Sequence, residues 1–146
     1  MTSVDRKLYT ALTSDPTLSG IIGTRLQWMQ LAQGTAFPCG VYQRVTSTPL
    51  YAQMPPGGKQ AHVGQARYQL TFWSNSKDAD LELESIVQAV LGVLGAFNAW
   101  ALNAFSPAVT VSSPNMVLNR TDSVEPKTDP PLFKTRLDVR IWYQDQ

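Results

Sequence analysis

The stretch from Phe133 to Tyr143 alternates in character almost residue by residue. Phe133, Thr135, Leu137, Val139, Ile141 and Tyr143 fall on one side, and Lys134, Arg136, Asp138, Arg140 and Trp142 fall on the other. A side-chain period of two is that of an extended strand with one face on a core and one polar face. Such a strand cannot stand alone, so the chain must build a sheet and lay something apolar over one side of it. An all-helical fold is thereby excluded.

A second alternating run supplies a partner. Between His62 and Trp73, Ala66, Tyr68, Leu70 and Phe72 point one way while Gln65, Arg67, Gln69 and Thr71 point the other. The cover comes from a different period. After the capping cluster Ser74-Asn75-Ser76, and from Asp78 onward, Leu83, Ile86, Val87, Val90, Leu91, Leu94 and Phe97 recur at intervals of three and four, which predicts a long helix packed on the sheet. Gly92 inside it is expected where helix and sheet approach closely, with Gly95 and Asn98 as stop signals.

Ser3 can cap a first helix carrying Val4, Leu8, Ala11 and Leu12, which ends near Ser14-Asp15-Pro16. Shorter strands are expected over Arg25–Gln30, broken by Gly34 to Pro38, and over Gly40–Thr48, stopping before Pro49. An interrupted strand is expected over Ala108–Ser112 and Asn115–Arg120, with Pro114 at a bulge or on an edge. The predicted fold class is α+β. It is a single domain over residues 1–146 with an antiparallel or mixed sheet of about four to five strands, an N-terminal helix and one long helix on one face, and two long inter-strand loops. No internal repeat or low-complexity segment interrupts it.

Both loops exceed what closure requires, since hairpin connections usually take two to five residues. The first runs from Pro49 to Gln60 and the second from Thr121 to Pro131, each with three prolines. Ordering such lengths costs backbone entropy of about 1–2 kcal/mol per residue, so they need contacts, and another chain can supply them. They are therefore expected to act as arms toward neighbouring subunits, with Leu50, Tyr51, Met54 and Lys59 in the first and Val124, Glu125 and Lys127 in the second.

Chemistry has little to work with. His62 is the sole histidine and Cys39 the sole cysteine, so every Ser-His-Asp or His-metal arrangement must pass through one residue, and no thiolate cluster exists. Cys39 reads as a small buried hydrophobe. Asp78, Asp80, Glu82 and Glu84 sit at a helix N-terminus, where i,i+4 carboxylates complement the dipole and form a solvated face. Pro56-Gly57-Gly58-Lys59-Gln60 lacks the first glycine and the Ser/Thr of a phosphate loop. No catalytic residue, metal ligand or cofactor is expected.

Twelve basic residues against eleven acidic ones leave a net charge of +1, which does not mark a phosphate-neutralising protein. The exception is local. Lys134, Arg136 and Arg140 share the polar side of the last strand and Arg67 that of another, so adjacent strands would make a basic face. Such a face would line a channel for DNA without sequence recognition, stand as an ordinary solvated sheet face, or form an interface of cross-strand ion pairs with Asp138. The tryptophans, including Trp28, Trp73 and Trp100, read as core or interface anchors. The apolar stretch Ile86–Trp100 is broken by Gln88, Gly92, Gly95 and Asn98 and falls short of the ~20 residues of a membrane span. No apolar segment follows the charges of Asp5-Arg6-Lys7, so export is not expected and the protein is expected to stay in the cytoplasm where it is made.

Five segments together resemble the tail-completion or tail-terminator proteins of long-tailed bacteriophages: Val4–Leu12, Gly23-Thr24-Arg25-Leu26, Phe37–Val45, Arg67–Trp73 and Arg136–Tyr143. The resemblance covers nearly the whole chain through the order and spacing of these segments. It implies a structural virion protein of the tail and neck region, without enzymatic activity or cofactor. It also implies a homo-oligomeric ring, usually hexameric, that caps the tail tube protein, receives the head connector or stopper protein, and surrounds passing DNA. Two other readings remain open at this point: a head-side neck adaptor or stopper, and a small ligand-binding domain or enzyme using His62.

Overall fold

The computed structural model describes residues 3–51, 62–96, 115–125 and 131–145. Three helices and five strands follow in the order α1 (Ser3–Ser14), α2 (Pro16–Ile22), β1 (Leu26–Trp28), β2 (Cys39–Tyr51), β3 (His62–Ser74), α3 (Ala79–Ala96), β4 (Asn115–Glu125) and β5 (Leu132–Asp145). The sheet runs β1-β2-β3-β5-β4. β1 lies parallel to β2 and every other pair is antiparallel, so the sheet is mixed.

The helices share one face of this sheet. Leu8 and Leu12 of α1, Leu18 and Ile22 of α2, and Leu83, Ile86, Val90 and Leu94 of α3 pack with Tyr42, Tyr68, Leu70, Phe72, Leu137, Val139 and Ile141 in one core. The alternation of β3 and β5 is realised in register: Ala66, Tyr68, Leu70 and Phe72 stand opposite Ile141, Val139, Leu137 and Thr135. All eight side chains are buried. Gly40 lies where the core is tightest, since a Cβ there would come within 2.6 Å of the Phe72 ring.

Helix α2 is absent from the sequence expectation. Pro16 does end α1, and it also starts α2 from the first-turn position where a missing N–H costs nothing. Asp15 caps it, its carboxylate accepting from the Leu18 N–H at 2.9 Å. Gly23, at φ 59°, closes it with its N–H on the Ser19 carbonyl.

Other boundaries move outward. β2 continues through Pro49 because β1 pairs only with Gly40, Val41 and Tyr42, so Pro49 lies on a free edge where no N–H is needed. β4 runs past Arg120 to Glu125, with a register shift between Val117 and Asn119, so Thr121–Glu125 is strand and not loop. β1 is shorter than expected and ends at Trp28, before Met29, an exposed residue at φ 68°. The expected strand segment Ala108–Ser112, Pro114, Phe97, Asn98 and Trp100 lie outside the described residues. In α3, Leu91 is 39% exposed and so lies off the core stripe. A Cβ at Gly92 would meet nothing within 4 Å, so this glycine faces outward and not onto the sheet.

Candidate assembly surfaces

Each hairpin is paired as far as its described residues extend. β2 and β3 stay in register to Tyr51 opposite His62, and β4 and β5 to Glu125 opposite Leu132. Leu50 and Tyr51 are thus strand residues facing Val63 and His62, and Val124 and Glu125 are strand residues facing Phe133 and Leu132. Val124 is 49% exposed. Met54, Lys59 and Lys127 lie outside the described residues, as does the glycine-containing segment from Pro56 to Gln60.

The directions of these hairpins matter more than their lengths. His62 pairs with Asp145 at one end of the β3–β5 ladder, and Ser74 pairs with Phe133 at the other. The β2–β3 connection therefore leaves from the His62 end and the β4–β5 connection from the Ser74 end. At about 3.3 Å per residue, the two are separated by roughly 40 Å along β3.

Strands β3 and β5 are adjacent, so the four predicted basic residues do share one face. Arg67 stands directly opposite Arg140, Thr71 opposite Arg136, and Trp73 opposite Lys134. A polar row crosses this face. Gln43 donates to Gln69 Oε1 at 2.8 Å, and Gln69 donates to Asp138 Oδ1 at 3.5 Å. Asp138 has Gln69 and Asn119 as its cross-strand neighbours. Among the described residues, Arg67, Lys134 and Arg136 form no ion pair with Asp138.

The segments that carried the family resemblance converge on the opposite face. Asp5 of α1 is fully buried, accepts a hydrogen bond from the Tyr68 hydroxyl of β3 at 2.5 Å, and faces Arg44 of β2 at 3.9 Å. Beside it, Tyr42 stacks on Tyr9 with centroids 5.8 Å apart and meets the edge of Trp28 at 4.9 Å. Burial above all, then the neighbouring Tyr9 and Asp5, pushes the Tyr42 hydroxyl up to about 12. Arg25 ties the β1 strand to what precedes and follows it, donating to the Pro38 carbonyl at 2.8 Å and the Ile21 carbonyl at 3.2 Å. Cys39 is buried as expected, and desolvation, partly offset by Arg25, pushes its thiol up to about 11.

The α3 carboxylates are not all solvated. Glu82 accepts from the Ser74 hydroxyl at 2.6 Å. Glu84 reaches Arg120 of β4 at 2.8 Å, and Arg120 also meets Asp122 at 3.3 Å, whose carboxylate accepts from Thr135 at 2.7 Å. This cluster edges an open cavity of about 330 Å³ between α3, β4 and β5. In the sequence Arg120 marks only the end of an expected strand, because the pairing of β4 under α3 has no local signal. No group of three or more His, Cys, Asp or Glu among the described residues is placed to hold a metal ion. His62 opens β3 between Tyr51 and Asp145. No helix among the described residues is long and apolar enough to cross a membrane.

Comparison with known proteins points the same way as the sequence resemblance. A family model described as tail completion protein gp17 matches residues 6–144. A chain from a solved structure of the virion of a native gene transfer agent particle superposes with a TM-score of 0.52 at 12% identity, covering 99% of this chain and 100% of that one. At that identity the likeness is one of fold. No curated protein matches the sequence.

Proposed function

Since the chain belongs to the tail completion protein gp17 family, a family of structural components of the virion tail, we propose that it forms a ring that caps the finished tail tube and joins it to the head connector. The observation that carries this reading is the placement of the two hairpins. A subunit that joins two unlike partners needs contact elements at opposite ends, and β2–β3 and β4–β5 extend from opposite ends of one rigid sheet. Leu50, Tyr51, Met54 and Lys59 belong to one arm and Val124, Glu125 and Lys127 to the other. The helix layer and core hold the sheet straight between them.

The ring is a homo-oligomer, with six subunits as the family implies, and DNA passes through its lumen without sequence recognition. Closed rings arise when one surface of a subunit contacts a different surface of the next and the rotation closes. Electron microscopy of the purified protein, alone and mixed with isolated tail tubes, tests the reading. Discrete rings, or tubes bearing a terminal cap of this protein, are expected. A protein that stays monomeric with tubes present and leaves their ends bare overturns it. Labelled protein found on the head side of the neck instead of the tube end assigns it as an adaptor or stopper.

A further inference from the structure

The face of the sheet away from the helices carries the basic side chains Arg67, Lys134, Arg136 and Arg140. Arg67 and Arg140 oppose each other across β3 and β5, an arrangement of like charges that destabilises a strand pair. Arg67, Lys134 and Arg136 have no carboxylate within ion-pair distance among the described residues. Val45, at the β2 register shift, is 51% exposed.

The complementary surface is on the helix layer. Helix α3 has acidic residues in its first turn and no basic residue in its last. Asp78 and Asp80 are exposed and without a cation among the described residues. Leu81 is 66% exposed beside them, and the outward side continues through Ser85, Gln88 and Gly92 along an open groove of about 560 Å³ between α2 and α3. A Gly92 whose added Cβ would meet nothing among the described residues leaves bare helix backbone on that side.

We infer that the basic sheet face of one subunit receives the acidic outward side of α3 from a second copy, so that helix layer and sheet face alternate around the assembly. This rests on the ring reading above and names the two surfaces that form its subunit contact. The two surfaces differ and lie on opposite sides of the subunit, which is the head-to-tail relation a ring requires. A second copy fits the face better than a nucleic-acid backbone does. Asp138 interrupts the basic row, and Gln43 and Gln69 lie beside it. The contact is electrostatic at its rim and weakens as salt is raised.

Charge swapping tests it on the full chain. One variant carries Arg67→Glu and Arg136→Glu, and a second carries Asp78→Lys and Asp80→Lys. Circular dichroism and thermal unfolding confirm that each is folded. Each variant alone is expected to lose ring formation, with sedimentation shifting to monomer, while an equimolar mixture regains rings because every contact then joins opposite charges. Rings formed by the first variant alone overturn the inference. So does a mixture that stays monomeric, and so does a first variant that assembles normally but has lost retention of DNA. Wild-type protein that forms no ring and caps no tube is the separate failure of the function proposed above.

Discussion

At the residue scale, Asp5 and Tyr68 show how a polar contact can organise an apolar core. Both are fully buried, one on the first turn of α1 and the other in the middle of β3, and Arg44 brings β2 to the same point. A carboxylate taken out of water is tolerated only with partners, and here Tyr68 and Arg44 supply them from two different strands. Tyr68→Phe leaves Asp5 short of a donor, and Asp5→Ala leaves the Tyr68 hydroxyl without its acceptor. Each substitution is expected to cost about 1–3 kcal/mol, read as a lowered urea midpoint, and the double variant less than the sum of the two. A double variant that loses the full sum would show that the two groups are energetically independent. The sequence made Tyr68 a core residue, but it left Asp5 an ordinary charge of an N-terminal turn. Nothing local marks a carboxylate whose partner lies on a strand far along the chain.

At the element scale, α3 performs two tasks with two sides. Its inner side supplies Leu83, Ile86, Val90 and Leu94 to the core. Its outer side spends helix stability on Gly92, whose missing Cβ would clash with nothing among the described residues. Gly92→Ala is therefore expected to stabilise the isolated protein by about 0.5–1 kcal/mol, visible as a higher melting temperature. A lowered one would place an unseen contact at that position. The same helix is tied to β4 through Glu84 and Arg120. The Arg120 hydrogen bond, helped by Gln88, holds Glu84 below its ordinary 4.5. Because the folded value is the lower one, the contribution is complete above pH 4.5 and is lost as pH falls through the depressed value. It is small, since both side chains are partly exposed. Glu84→Gln should give a shallower fall of melting temperature over that acid range, and an unchanged slope would show that the pair does not contribute. Element types were largely legible, because periods of two and of three to four are local. The boundaries were not: Pro16 and Pro49 both read as stops, although a first-turn position and a free sheet edge each tolerate proline.

At the scale of the whole molecule, a sheet with helices on one face also holds two hairpins that leave from opposite ends. Replacing residues 52–61, between Tyr51 and His62, by a two-residue Asn-Gly turn shortens one arm. The variant is expected to melt cooperatively near the wild-type temperature while failing to cap tail tubes in electron micrographs. Unchanged capping would remove that hairpin from the contact. The amino-acid order alone determined that there is an α+β domain, which residues of β3 and β5 face its core, and that Arg67 shares a polar side with its strand, since all of these follow from side-chain period. Only the tertiary structure decided that β3 and β5 are neighbours, that Arg67 and Arg140 therefore meet, that Arg120 finds Glu84, and that residues 49–51 and 121–125 are paired strand, with the two connections leaving from opposite ends of the sheet. Strand order and register depend on contacts between residues far apart in the chain, and periodicity within a segment says nothing about which segment lies beside it.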